Sequence, residues 1–371
     1  MTAPAHRLDL QKLTVHPLPS RNSLSTLDDI ALDPEAMPTG TLSPLIQRTI
    51  AVAVQGIRRA RERGATVMLI YGAHLLRNGA APLVERMLGR GWLTHLATNG
   101  AGTIHDWEFA HLARSTESVR AGVATGSFGT WDETGRSINL AVQLGGVRDQ
   151  GYGEALGRWI AEDGAQLPST EELSAAIRAE PGHPLTGARA DLLATLLRAG
   201  LPGGREHVAH PYKDASIVYQ AYRHGVALTV HPGIGYDIIT NHPLFSGAAI
   251  GRGAEIDFRL FGGALERLDG GVVLSIGSAI MGPQVFEKSM SCVNNLRISG
   301  GAKPVADFDI HVVDLQDGGN WDWSAGEPPK TNAAYYLRFC KSYSRMGGRM
   351  TYSQCHNLLF LHTLYRALAG P

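Results

Sequence analysis

Four segments carry residue types that chemistry uses, each where an apolar run stops. They are Tyr71-Gly72-Ala73-His74-Leu75-Leu76-Arg77-Asn78-Gly79, Thr98-Asn99-Gly100-Ala101-Gly102-Thr103-Ile104-His105-Asp106, His231-Pro232-Gly233-Ile234-Gly235-Tyr236-Asp237 with His242 beyond it, and Gly277-Ser278. An Asn-Gly-Ala-Gly run that opens a helix lines up backbone N–H groups with little side chain over them, an arrangement suited to a phosphate. His105 is a candidate general base, because imidazole exchanges protons near neutral pH and the adjoining Asp106 can hold its tautomer. Asp237 can pair with a cationic substrate or cap the turn at Ile238. His231, Asp237 and His242 offer nitrogen and oxygen donors, but their spacing matches no metal motif, so structural or substrate contacts are the favoured reading and no metal is expected.

Two glycine-rich loops add to this set. Gly318 to Glu327 holds Trp321 and Trp323 as pocket walls with Asp322 and Glu327 as carboxylates; the same tryptophans could instead staple a dimer interface. Gly126 to Glu133 reads as a mobile loop that contacts ligand.

The elements that position these residues follow from hydrophobic period. Ile46, Ile50, Val54 and Ile57 mark an amphipathic helix from Leu45 to Gly64. Apolar runs at 66–71, 93–98, 227–230, 271–276 and 309–314 read as strands, with a helix over 80–88 between the first two. Runs this apolar imply a parallel sheet covered on both faces, and in such sheets ligands gather at the carboxyl ends of the strands. Residues 1–45, with prolines at 4, 17, 19, 34, 38 and 44, read as an extended arm of the kind that wraps a partner subunit. Residues 46–371 read as one domain, with a charged helical insertion at about 151–210 that covers the core.

Composition narrows the partners. Lysine plus arginine equals aspartate plus glutamate at 34 each, so no long-range field draws the chain to nucleic acid or an anionic membrane, and a small-molecule ligand is expected. Met1 to Leu10 mixes His6, Arg7 and Asp9 among its hydrophobics, so neither a signal peptide nor a membrane helix is expected there. Cys292, Cys340 and Cys355 are scattered, which fits a reducing cytoplasm better than a disulfide framework.

At its strand ends the chain resembles the deoxyhypusine synthase family. That family has a Ser-Asn-x-Ile-Ser-Ser-Gly helix start, matched here at Asn78-Gly79, and a Thr-Ala-Gly-Gly-x-Glu-Glu-Asp turn, matched from Asn99-Gly100-Ala101-Gly102 to Asp106. Its Asp-Gly-Ser-x-Gly-Asp turn, with a histidine five residues on, corresponds to Pro232 to Asp237 and His242, and its later glycine-rich strand end to Gly277-Ser278. The resemblance implies a doubly wound, Rossmann-like fold, NAD held by Asn78, Gly79, Asn99 to Gly102, Asp106, Gly277 and Ser278, and a homo-oligomer, commonly a dimer of dimers.

The departures bear on function. The family's imine-forming lysine follows a Gly-Ala-Arg-Pro-Asp-Glu segment in Trp-Gly-Lys; here Tyr335 stands nearest the tryptophan and no lysine follows it, leaving Lys330 and Lys341 to flank the gap. Met281-Gly282-Pro283-Gln284 replaces the family's paired histidine, and Ile104-His105 its two glutamates. The expectation is an NAD-dependent enzyme acting on a small amine, without hypusine formation. Its catalytic candidates are His105, Asp237, Lys341 and Lys330; its substrate contacts are Asp237, His242, Trp323 and Glu327. A nucleotide sensor without catalysis, and a lyase or hydrolase in the same pocket, are the alternatives.

Overall fold

The computed structural model describes residues 5–370. Its centre is a six-stranded sheet of β1 (Val67–Tyr71), β2 (His95–Thr98), β3 (Ala227–Val230), β4 (Val272–Ile276), β5 (Asp309–Asp314) and β6 (Arg349–Gln354). All neighbours run parallel, in the order β6-β5-β4-β1-β2-β3. The chain therefore leaves β1 toward β2 and β3 and later resumes on the other side at β4, which makes the β1–β4 boundary the topological switch point of a doubly wound sheet.

Strand alternation divides the core in two. Val67, Leu69 and Tyr71 join one apolar cluster and Met68 and Ile70 the other, because successive strand residues face opposite sides. The first face is covered by α1 (Pro44–Glu62) and α7 (Asn357–Ala369), the second by α5 (Gly247–Glu266) and α6 (Met281–Ser299). Helix α1 starts where Ser43 Oγ accepts from the Ile46 N–H at 3.3 Å and Pro44 takes a position that needs no donor. Leu69 and Phe286 are both 0% exposed, each contributing about 1.5–3 kcal/mol by burial. No helix among the described residues is long and apolar enough to cross a membrane.

A long crossover joins β2 to β3 and includes α2 (Gly100–Leu112), α3 (Asp132–Val147) and α4 (Tyr152–Ala161). The 151–210 region is more than an outer cover. Tyr152 and Trp159 of α4 are buried, a β-carbon on Gly153 would lie 1.7 Å from the Leu228 carbonyl of β3, and Gly164–Leu167 pairs antiparallel with Gly204–His207.

The described residues of the proline-rich arm carry little regular structure, in keeping with their prolines, and lie against their own chain. The Leu18 N–H donates to Glu133 at 2.6 Å, Ser25 and Thr26 pair with Ser115 and Arg114, and Leu18 and Arg21 are buried. Among the described residues the arm lies along the flank of α2 and α3 and reaches α7, where Glu35 accepts from Tyr365 Oη at 2.8 Å and from Arg366 at 2.7 Å.

Candidate active site

Helix α2 begins at the carboxyl end of β2, with Asn99 Oδ1 accepting from the Gly102 N–H at 2.9 Å. It presents His105 and Glu108 on one face, since residues three apart on a helix are neighbours. Around them lies a cavity of about 230 Å³ whose lining includes Arg21 of the arm, Arg77 beyond β1, Glu117, Phe128 and, beyond β3, Tyr236 and Asp237. Three strand ends and the arm thus converge on one small chamber.

Its electrostatics follow from burial. Arg21 donates to both carboxylate oxygens of Glu108 at 2.7 and 2.8 Å, and both side chains are almost fully enclosed. Thr134 Oγ1 at 3.0 Å and Ser115 Oγ at 2.5 Å also donate to Glu108, and Ser115 Oγ lies 2.7 Å from His105 Nδ1. Desolvation pushes the His105 imidazole down to about 4, partly opposed by Glu108 and reinforced by Arg77, Arg21 and His74, so its resting form is neutral.

Asp237 is buried, and loss of water pushes its carboxyl up to about 6 although the Gly233 and Ala101 N–H groups donate to it. Burial likewise raises Glu117, again against an N–H bond, from Gly129. Arg77 has no hydrogen bond or ion pair among the described residues, and its Nε is buried without a partner. The chamber therefore holds an unneutralised guanidinium, two carboxyl groups short of water and a neutral imidazole.

Several expected ligand positions have other roles. The Asn99 to Gly102 turn is closed to phosphate by the chain itself: a β-carbon on Gly100 would lie 2.3 Å from the Asp237 carboxylate, which occupies the helix start where an anion would sit. Gly102 faces inward, its β-carbon position 2.2 Å from Thr98 Oγ1. Ala101 does line the cavity. Asp106 points away from it: at 1% exposure it accepts from Ser216 Oγ and, at 2.7 Å, from the Ile217 N–H, capping the helix Ile217–Arg223. That desolvation lifts its carboxyl to about 7. Asn78 ends the short helix after β1, and Gly79 packs under Ile30 of the arm.

At the switch point a β-carbon on Gly72 would lie 2.3 Å from the Gly277 carbonyl, while Ser278 Oγ accepts from the Gly282 N–H at 3.1 Å at the start of α6. His242 accepts from the Leu244 N–H at Nδ1 and donates through Nε2 to Asp132 at 3.3 Å, fully used outside the cavity. His231 is buried beside Thr229, and no group able to hold a metal ion is found among the described residues.

The remaining candidates belong to the other end of the sheet. Trp323, with Trp321 and Asp322, lines a groove of about 860 Å³ that runs along β6 to His356 and shares no residue with the His105 chamber. Lys330 is exposed. Lys341 lies 3.3 Å from the centre of the Tyr335 ring and 3.9 Å from Glu327, both partners that an ammonium takes, while Arg345 donates to Glu327 at 2.7 Å. Arg345, the neighbouring cation that could favour a neutral Lys341, is itself paired with Glu327.

Sequence reasoning missed Arg21, Glu108, Ser115 and Glu117. Glu108 had a signal, the spacing of three from His105. Arg77 lies in the segment after β1, where its spacing carries no signal of its own, and Arg21 and Ser115 meet only through the fold of the arm.

No protein-family model and no curated protein matches the chain. Among solved structures, the arginine dihydrolase ArgZ of the ornithine-ammonia cycle in cyanobacteria is 12% identical, with 87% of this chain and 32% of that one covered and a TM-score of 0.41. A putative LOR/SDH protein of Methanococcus maripaludis S2 is 11% identical over 91% of this chain and 71% of its own, at 0.42. A ternary complex of AgrE with ornithine and NAD+ is 12% identical over 88% and 33%, at 0.40. The chain spans about a third of the length of ArgZ and AgrE. None of these three is a deoxyhypusine synthase, and likeness at this level carries no argument about function; the doubly wound assignment rests on the strand order above.

Proposed function

We propose that the chain is an NAD-dependent enzyme that oxidises a small substrate carrying both a cationic amine and a carboxylate. The observation that supports this most is the chamber's charge pattern: unpaired Arg77, desolvated Asp237 and Glu117, and a neutral His105 share about 230 Å³, space for an amino-acid-sized molecule. In this reading Arg77 takes the carboxylate, Asp237 and Glu117 take the amine, and His105 Nε2 accepts the proton released from nitrogen as the adjacent carbon gives up hydride. Carbon is oxidised to the imine level, and the electron pair leaves with the hydride. NAD, when bound, supplies the hydride acceptor.

The fit of NAD to these residues is partial. The chamber is too small for a dinucleotide, and Asp237 fills the α2 helix start. By strand order the β1–β4 crevice is the switch point of the sheet, and NAD would lie across its Gly72-Ala73 and Gly277-Ser278 ends rather than between them, because Gly72 and the Gly277 carbonyl already close on one another. No lysine imine is needed, in keeping with the surroundings of Lys330 and Lys341.

Calorimetry with NAD, followed by absorbance of the reduced nicotinamide across a panel of basic and neutral amino acids, tests the proposal. Arg77→Ala is expected to weaken substrate binding by about 10–100-fold, the loss of a charge-assisted bond, with NAD affinity unchanged. Absence of NAD binding sinks the reading. If NAD affinity falls together with substrate affinity, Arg77 holds a cofactor phosphate and the carboxylate assignment is wrong.

A further inference from the structure

The contacts around Glu108 fix where its neighbours' protons lie. Both Arg21 nitrogens donate to it, so the carboxylate can only accept. Oε1 takes Arg21 Nη1 and Thr134 Oγ1; Oε2 takes Arg21 Nη2 and Ser115 Oγ. Ser115 has one hydroxyl proton and spends it on Glu108. The 2.7 Å contact between Ser115 Oγ and His105 Nδ1 then has one solution, in which Nδ1 carries a proton and donates. Among the described residues His105 Nε2 has no hydrogen-bond partner, and in neutral imidazole it is the nitrogen left as acceptor.

From this geometry we infer that Ser115 is the positioning residue of the site: it holds His105 in the Nδ1–H tautomer with Nε2 as proton acceptor, anchored through Glu108 to Arg21 of the amino-terminal arm. The inference rests on His105 being the base proposed above, and adds what orients it. As Nε2 gains a proton, the positive ring donates from Nδ1 to Ser115, whose own proton stays on the Glu108 side. The charge is thus stabilised through one hydroxyl with no net proton transfer along the chain of bonds. Were the hydroxyl turned to His105 instead, Ser115 Oγ and Glu108 Oε2 would face each other at 2.5 Å as two acceptors with no proton between them, which fixes its direction.

The tautomer is measurable without substrate. In the full-length protein labelled with nitrogen-15 histidine, two-bond proton–nitrogen correlation at pH 7 reads the two nitrogens of His105, assigned by their loss in His105→Gln. The expected wild-type pattern is a protonated Nδ1 and an unprotonated Nε2. Ser115→Ala should shift His105 toward the opposite tautomer or a mixture, and Ser115→Thr, which keeps the hydroxyl, should restore the original one. A wild-type ring protonated at Nε2, or an unchanged tautomer in folded Ser115→Ala, overturns the inference. Glu108→Gln provides a second route if Ser115→Ala does not fold, since it removes the acceptor that orders the hydroxyl and should also mix the tautomers; an unchanged pattern there counts against the relay. If the tautomers behave as expected but His105→Gln retains full turnover, the relay stands and the base assignment of the proposed function fails.

Discussion

Beyond β1, β2 and β3 the chain encloses a small chamber in which Arg77 is unpaired among the described residues and Asp237 is short of water, whereas beyond β5 and β6 it leaves a wide groove walled by Trp321, Trp323 and Tyr352. Both ends carry cations and carboxylates. They differ in what the charges do. In the β5–β6 crossover Glu327 pairs with Arg345 and lies near Lys341, whose ammonium also rests on the Tyr335 ring, so each charge has a partner, while in the chamber the pairing stops at Arg21 and Glu108 and leaves charge for a ligand. Reactive groups collect where desolvation is left uncompensated, because an unmet charge is strongly stabilised by a complementary substrate.

The sharpest way to break this comparison is to remove the base on one side and the lysines on the other. His105→Gln is expected to lower kcat by about 10²–10⁴-fold, the usual contribution of a positioned general base. Lys330→Ala and Lys341→Ala should leave it within about twofold, and borohydride with candidate amines should give no adduct on either lysine, since imine formation needs a neutral, desolvated amine. A reduced adduct on Lys341 would move the chemistry to the β5–β6 side.

Much of the fold could be read in advance. The strands at 227–230 and 309–314 fall where the sequence places them, and those of β1 and β4 within a residue. These lie inside the sheet or against covering helices and read as unbroken apolar runs. Strand β6 was missed because Arg349-Met350-Thr351-Tyr352-Ser353-Gln354 lies at the sheet edge, where one flank meets the groove and polar side chains suffice. In the site, His105 and Asp237 were legible from their strand-end positions. Asp106, adjoining His105 in sequence, was misread, because on a helix adjacent residues point about 100° apart and only every third or fourth shares a face. Arg21 reaches the chamber by a tertiary path that no local spacing announces.

Next in size is Gly102→Val. Were the Asn99 to Gly102 turn a phosphate cradle, the variant would lose ligand and keep its stability; with the β-carbon directed at Thr98 Oγ1, which donates to the Tyr71 carbonyl inside the sheet, it should destabilise by about 1–3 kcal/mol or more through overpacking. A thermal melt decides. Unchanged Tm with lost NAD binding would return the cofactor to the β2 end.

Asp237 provides a smaller effect of opposite sign. Its folded-state carboxyl titrates at about 6, above its ordinary value near 4, so the folded chain holds a proton that the unfolded chain has released between those values. Stability contributed by this group therefore falls as pH rises through that window, and the deficit is complete above about 6. Asp237→Asn should then raise stability at pH 7.5 by about 1–2 kcal/mol, with little change at pH 4. The wild type is expected to show a rise in KM for a cationic substrate as pH falls through about 6, and the variant is expected to lack it. A variant less stable than wild type at pH 7.5 would mean that the N–H bonds from Gly233 and Ala101 outweigh the desolvation.

The smallest effect lies at the other end of the sheet and tests whether that end is inert. Glu327 accepts from Arg345 at 2.7 Å and lies 3.9 Å from Lys341, with the Arg345 and Glu327 side chains 57% and 43% exposed. Exposed pairs of this kind contribute about 0.2–1 kcal/mol, because water screens the attraction and two long side chains lose freedom. Glu327→Gln should thus lower stability by less than about 1 kcal/mol at low salt, and the difference should shrink at about 1 M salt, where screening acts within about 3 Å. Lys341 keeps its contact with the Tyr335 ring, which needs no carboxylate, so its side chain should stay in place. Turnover should be unchanged. A fall in kcat/KM beyond about threefold, roughly 0.6 kcal/mol, with stability intact would show that a charge on the β5–β6 side acts on the reaction, and the division between a reactive chamber and a neutralised surface would no longer hold.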